Sequence, residues 1–278
     1  MERDFWQAII VNNYAFPAGH DAVSLTNELL EYLASPDEEL RDRFAYNILA
    51  RWIVRDGLYS PQDLRDMMNH LLANLTLGLG EQNTDSVFLR SYSALVLSLI
   101  VFRHNRAPFL DEGELAAILD GALDYWMREI DLRGYVVGKG LAAPVAHVAD
   151  LLRFLARCPI LSEVDLLRIL DAIADRLLLE APVIFHFDED DRLALVVIEV
   201  VRRDLLPELN FGEWLGRFNA WQNAHENDIR FDFAVHATAH NVKHFLRALY
   251  CRLELSGVSE QLADFHSEVL ATIKRYSI

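Results

Sequence analysis

Residues 35–53 read SPDEELRDRFAYNILARWI. Ser35 stands at a helix cap, Pro36 at the first helical position and Glu38 two residues further on. A serine hydroxyl there takes an otherwise orphaned N–H, the fixed φ of proline suits a first turn, and the glutamate reaches back to the cap N–H. Beyond this start Leu40, Phe44, Ile48, Leu49, Trp52 and Ile53 recur at the spacing of one broad helix face. The stretch predicts a capped amphipathic helix.

The same signal returns along the chain. SPQD (60–63), TDS (84–86), DEGE (111–114) and SEVD (162–165) each open a new apolar segment, as do a start near 187–190, NFGE (210–213) and, more weakly, VSEQ (258–261). Successive starts lie about 25 residues apart, or twice that, so a helix pair fills about 50, close to HEAT and armadillo repeats. In the segment 164–178, Val164, Leu167, Leu170, Ala174, Leu177 and Leu178 form a second apolar face. Strand signals are nearly absent: VVGKG (136–140) is too short and glycine-rich. The reading is all-α, with about ten or eleven antiparallel helices in a single domain, 1–278. A curved, HEAT-like α-solenoid is preferred to an α/α toroid, because about five pairs falls short of a six-pair ring.

Hydrophobic residues make up 52% of the 278 positions and proline only 8, which predicts a packed globular chain. The net charge of −16 disfavours phosphate backbones and anionic membranes, and no Lys/Arg block offsets it. Cys158 and Cys251 sit in apolar patterns and read as small core residues in a reducing compartment. MERDFWQAII (1–10) does not read as a signal peptide, and runs such as ALVLSLIVF (94–102) are short for a bilayer. These features predict a cytoplasmic protein.

Residues 129–152, EIDLRGYVVGKGLAAPVAHVADLL, interrupt the rhythm. The helix after Asp111 should end near Arg133–Gly134, and a new one should open near Ala142–Pro144. One reading is a crossover whose Glu129, Asp131, Arg133 and Lys139 satisfy one another. The other is a ligand site on the same residues, with Asp150 orienting His147 at i, i+3. His236, His240 and His244 recur at i, i+4, i+8, but those ends lie about 12 Å apart along a helix, so no metal site is assigned. Ser91 and Ser93 lack a nucleophile elbow, and FHFDEDDRLA (185–194) reads as an acid-rich helix start. Carboxylates for sugar hydrolysis would be drawn from Glu129, Asp131, Asp150 and Glu189. Trp214, Phe218 and Trp221 form an apolar stripe that reads as core.

Four separated motifs carry a resemblance: RSYSALVLSLI (90–100), DLRGYVVGKGLAAPVAHVADLL (131–152), EDDRLA (189–194) and HNVKHFLRALYCRL (240–253). Together with 35–53 they resemble a bacterial family catalogued only as a domain of unknown function. The resemblance implies an all-helical, repeat-like protein and no established activity. The family pattern K-G-W-A-H-x-x-A-H-x-A-D is matched at Lys139, Gly140, Ala142, Ala146, His147, Ala149 and Asp150. Leu141 replaces its tryptophan and Ala143 its first histidine, so only one of two helix-spaced histidines remains.

The functional expectation is a binding or scaffold module that holds a protein or peptide partner in a concave polar groove, without cofactor. The candidate contacts are Arg90, Asp131, Arg133, Lys139, His147, Asp150, Arg192, Asn241 and Lys243. The alternative is a hydrolase-type enzyme with His147 and Asp150 in acid/base roles and a carboxylate or a metal assisting.

Overall fold

The computed structural model describes residues 1–55, 58–257 and 260–276. It is all-helical apart from one short hairpin, with twelve α-helices among the described residues. The chain divides into two compact units, Met1–Leu155 and Ala156–Ile278.

In the first unit α1 (Arg3–Val11) and α2 (Ala22–Tyr32) precede a π-helical stretch, Glu39–Tyr46, that runs straight into α3 (Asn47–Val54). α4 (Pro61–Asn74), α5 (Ser86–Arg106) and α6 (Glu112–Arg128) follow, and α7 (Pro144–Ala156) ends at the boundary. α5 is the central element, packed by both α3 and α4. It is long and apolar enough to cross a membrane, yet 72% of its apolar window is buried inside the protein. Its apolar surface is therefore core.

At 35–53 the expected Ser35/Glu38 capping box gives way to another arrangement. Ser35 Oγ accepts from Asp37 N–H, and Asp37 Oδ1 accepts from Glu39 N–H at 2.9 Å. The wider π winding then faces Arg41 inward, fully buried, and leaves Leu40 half-exposed. The boxes at Ser60/Asp63, Asp111/Glu114 and Ser162/Asp165 form as the sequence predicts. α5 starts at Ser86 after Asp85, which makes no side-chain cap.

The second unit holds α8 (Glu163–Leu178), α9 (Glu189–Arg202), α10 (Glu208–His225), α11 (Phe233–Leu255) and α12 (Glu260–Arg275). α8, α10 and α12 pack successively side by side, and α9 packs along α11. α10 begins two residues before the predicted NFGE start. Val258 and Ser259 of the predicted VSEQ start lie outside the described residues. On α8 the buried stripe is Leu166, Ile169, Leu170, Ile173 and Leu177, while Val164 is 65% exposed. Trp214 and Phe218 are core, and Trp214 Nε1 donates to Leu170 O. Cys158 is buried, but Cys251 is exposed and is no core residue.

The turn after α5 is organised by His104, 1% exposed, whose Nδ1 accepts from Phe109 N–H at 3.1 Å and Leu110 N–H at 3.0 Å. Burial lowers its pKa, opposed only in part by Glu114. A proton on Nδ1 would face two donors. The unfolded chain takes that proton from its ordinary pKa of about 6.5 downward, the folded chain only at lower pH. The stability contributed by neutral His104 is complete above about pH 6.5 and is lost as pH falls through the lowered folded value. Urea denaturation between pH 7.5 and 5 should show stability falling with pH, and His104→Gln should flatten that slope. Equal slopes in both proteins would contradict this role.

Candidate functional site

The break at 129–152 is built around buried charge. α6 ends at Arg128 rather than at Arg133–Gly134, because Glu129 turns out of the helix with φ −68° and ψ 121°. Its carboxylate meets Arg90 of α5: Nε donates to Oε2 at 2.6 Å and Nη2 to Oε1 at 3.1 Å. Both side chains are buried. Arg90 Nη1 is spent on Leu77 O, Gly78 O and Ser86 Oγ. Glu129 Oε1 also accepts from Asp131 N–H.

Asp131, fully buried, is gripped by Arg133 through Nε at 2.7 Å and Nη2 at 2.6 Å, and accepts from Asn83 N–H. The guanidinium of Arg133, raised in pKa chiefly by its bond to Asp131, also donates to Thr84 O. Lys139 Nζ reaches both oxygens of Asp85, at 2.6 and 2.8 Å.

Between these pairs the chain folds into a hairpin, although VVGKG is short and glycine-rich for a strand. β1 (Tyr135–Val136) pairs antiparallel with β2 (Gly140–Leu141). Gly138 and Gly140, at φ +77° and +81°, permit the tight reversal. Arg41 clamps this hairpin from the π-helix, donating to Ser35 O, Lys139 O and Leu141 O. Its guanidinium lies 4.0 Å from the ring centroid of Phe88. Sequence reasoning missed Arg41. The available signal was a base sitting inside the apolar period of 40–53.

α7 opens at Pro144, as predicted. Ala143 precedes it with φ +45°, outside the helix, so positions 143 and 147 do not form a helix-spaced pair. His147 is 6% exposed, its ring edge-on to Tyr92 and its Nδ1 2.7 Å from Ser91 Oγ. Ser91 Oγ donates its single proton to Ala142 O, an acceptor only. Nδ1 must therefore carry the hydrogen and donate it to Ser91. That polarity is the reverse of serine activation by a general base. Asp150, one turn along α7, is half-buried.

In the second unit Arg192 lies half-buried in the first turn of α9. Asn241 is 6% exposed and ties residues 183–185 to α11, donating to Val183 O at 2.8 Å and accepting from Phe185 N–H at 2.9 Å. Lys243 is half-buried on α11 beside the stacked rings of His240 and His244, whose centroids are 4.2 Å apart. The pKa of His240 is lowered by burial first, then by His244, Lys243, His236 and His186. Glu189, 2% exposed, accepts from Phe187 N–H, and burial pushes its carboxyl up. Among the described residues no three His, Cys, Asp or Glu side chains stand together as metal ligands.

The nine predicted residues thus fall in two groups, six in the first unit and three in the second. A cavity the sequence did not signal opens between α2 and α4, about 290 Å³ in volume. Its floor is Leu30 and Met67, with the Thr26–Tyr59 hydroxyl pair 2.7 Å apart and Asp63, Asp66 and His70 along its rim. Burial raises the Tyr59 hydroxyl to about 12, so it stays protonated as a donor.

A family model described as Protein of unknown function (DUF2785) matches residues 75–251. The chain belongs to this family. The DUF2785 span holds all nine predicted residues and runs from the end of α4 into α11. Arg41 and the α2–α4 cavity precede it. No curated protein and no solved structure matches the chain.

Proposed function

We propose that the protein is a non-catalytic, cytoplasmic binding module of solenoid type that holds a basic amphipathic segment of a partner protein in the groove between α2 and α4. The repeat reading draws support from the second unit, where helices two apart in sequence lie side by side. The observation that carries the binding reading is the groove itself. Val23, 58% exposed, and Met67 offer an apolar seat, while Asp63 and Asp66 stand on the rim of a chain with net charge −16. Its volume is at the small end for ligand pockets and suits one anchoring apolar side chain with a cationic neighbour.

Arg90, Asp131 and Asn241 act in this reading as struts rather than contacts. The hydrolase alternative draws little support, since neither His147 nor Asp150 lines this cavity and His147 gives its Nδ1 hydrogen to Ser91. The test is fluorescence anisotropy with a labelled Leu/Lys amphipathic helical peptide. Saturable, salt-sensitive binding is expected, weakened about tenfold or more by Val23→Asp and by Asp66→Lys. Binding that is absent, or indifferent to both substitutions, would overturn the proposal.

A further inference from the structure

A second cavity, about 450 Å³ in volume, lies where α10 ends, lined by Gln222, Asn223, Glu226, Asn227, Ile229, Arg230, Phe231 and Arg275. Its chemistry differs from the rest of the surface. The chain carries 42 acids against 26 Lys and Arg, and most of its guanidiniums are held by carboxylates or carbonyls. Arg230 and Arg275 are different: among the described residues neither has an ion pair or a hydrogen bond from its side chain, and both line this one cavity. Three carboxamides and the single carboxylate of Glu226 complete the polar wall, and Ile229 and Phe231 the apolar one.

The cavity's loop is set before any ligand arrives. Asp228 N–H and Ile229 N–H donate to His225 O, and Phe231 N–H and Asp232 N–H donate to Asp228 O. Asp232 is itself committed to capping α11 through Ala234 and Val235. The turn therefore fixes the backbone that carries Arg230, while its exposed side chain is ordered only when the ligand binds. A guanidinium presents a rigid fork that matches the two oxygens of a carboxylate or phosphate.

We infer that this cavity binds a small molecule bearing an oxyanion, either carboxylate or phosphate, which Arg230 and Arg275 receive. The carboxamides and Glu226 hydrogen-bond the rest of the ligand, and Phe231, 89% exposed, covers its apolar side. The site is independent of the α2–α4 groove and of what that groove holds.

The experiment is isothermal titration of the full chain at pH 7 and low salt, with citrate and separately with inorganic phosphate as probes. One-site saturable binding of at least one probe is expected. Arg230→Ala and Arg275→Ala should each weaken it about tenfold or more, as loss of a charge-assisted bond does. Arg247→Ala, exposed on α11 and away from the cavity, is the charge control and should leave binding unchanged. A response to citrate alone assigns the site to carboxylates, and to phosphate alone to phosphoryl groups. No saturable heat with either probe, or equal weakening by Arg247→Ala, would overturn the inference. Circular dichroism of each variant separates lost binding from lost folding.

Discussion

Glu129→Ala is expected to lower the free energy of unfolding by about 3–5 kcal/mol, read by urea denaturation at pH 7. The side chains of Arg90 and Glu129 are 0% and 3% exposed. Removing the carboxylate leaves a guanidinium in the core with two of its donors unanswered, since Nη1 is already committed to Leu77 O, Gly78 O and Ser86 Oγ. It also strips Asp131 N–H of its acceptor. The loss measures an uncompensated buried charge, not the net worth of the pair. The double variant Arg90→Met/Glu129→Leu removes both ions together and should therefore cost less than the two single substitutions summed, although Leu77 O, Gly78 O, Ser86 Oγ and Asp131 N–H still lose their partners. A loss under about 1 kcal/mol for Glu129→Ala would mean that the pair is solvated in solution.

Arg41→Met should cost about 2–3 kcal/mol by the same assay. Two effects oppose each other. Met keeps the apolar stem against Phe88 and removes a fully buried cation that has no carboxylate in ion-pair range among the described residues. That removal is favourable. Against it, the carbonyls of Ser35, Lys139 and Leu141 lose their donor. An orphaned acceptor costs about 1–3 kcal/mol where water cannot reach it; these three lie on half-buried residues, so water offsets part of that cost and the remainder outweighs the relief. A variant as stable as the parent would show that the hairpin closes without its clamp.

The helices that open on a capping box were legible in the sequence because the box is coded locally. Ser60, Asp111 and Ser162 cap within four residues of themselves, so a short window holds the whole signal. The π-helix at 39–46 was not legible, since Arg41 on it meets its partner in a hairpin 98 residues away and no short window holds that contact. α8 shows a smaller failure of the same kind. Val164 fits the apolar period, but the neighbouring helices choose the face centred on Ile169 and Ile173. Within 129–152 the sequence revealed which residues carry charge but not with whom they pair. Arg90 and Asp85, which complete two of the pairs, come from the α5 region. The α2–α4 groove had no local code at all, because Thr26 and Tyr59 meet only in the folded chain.

Residues 129–147 form a rigid, hydrogen-bonded crossover held by Arg41 rather than an open binding loop. Hydrogen exchange followed by mass spectrometry tests it most directly. Ala142 N–H and Ala143 N–H donate to the carbonyls of Arg133 and Gly134, Lys139 N–H to Val136 O, and Asp131 N–H to Glu129. The bonded amides of Asp131, Lys139, Ala142 and Ala143 should exchange as slowly as those of α5, despite lying in little regular structure, while the exposed tip at Val137 exchanges fast. Full exchange of these bonded amides within seconds would show that the crossover is open in solution and return the segment to the candidates for a mobile binding loop.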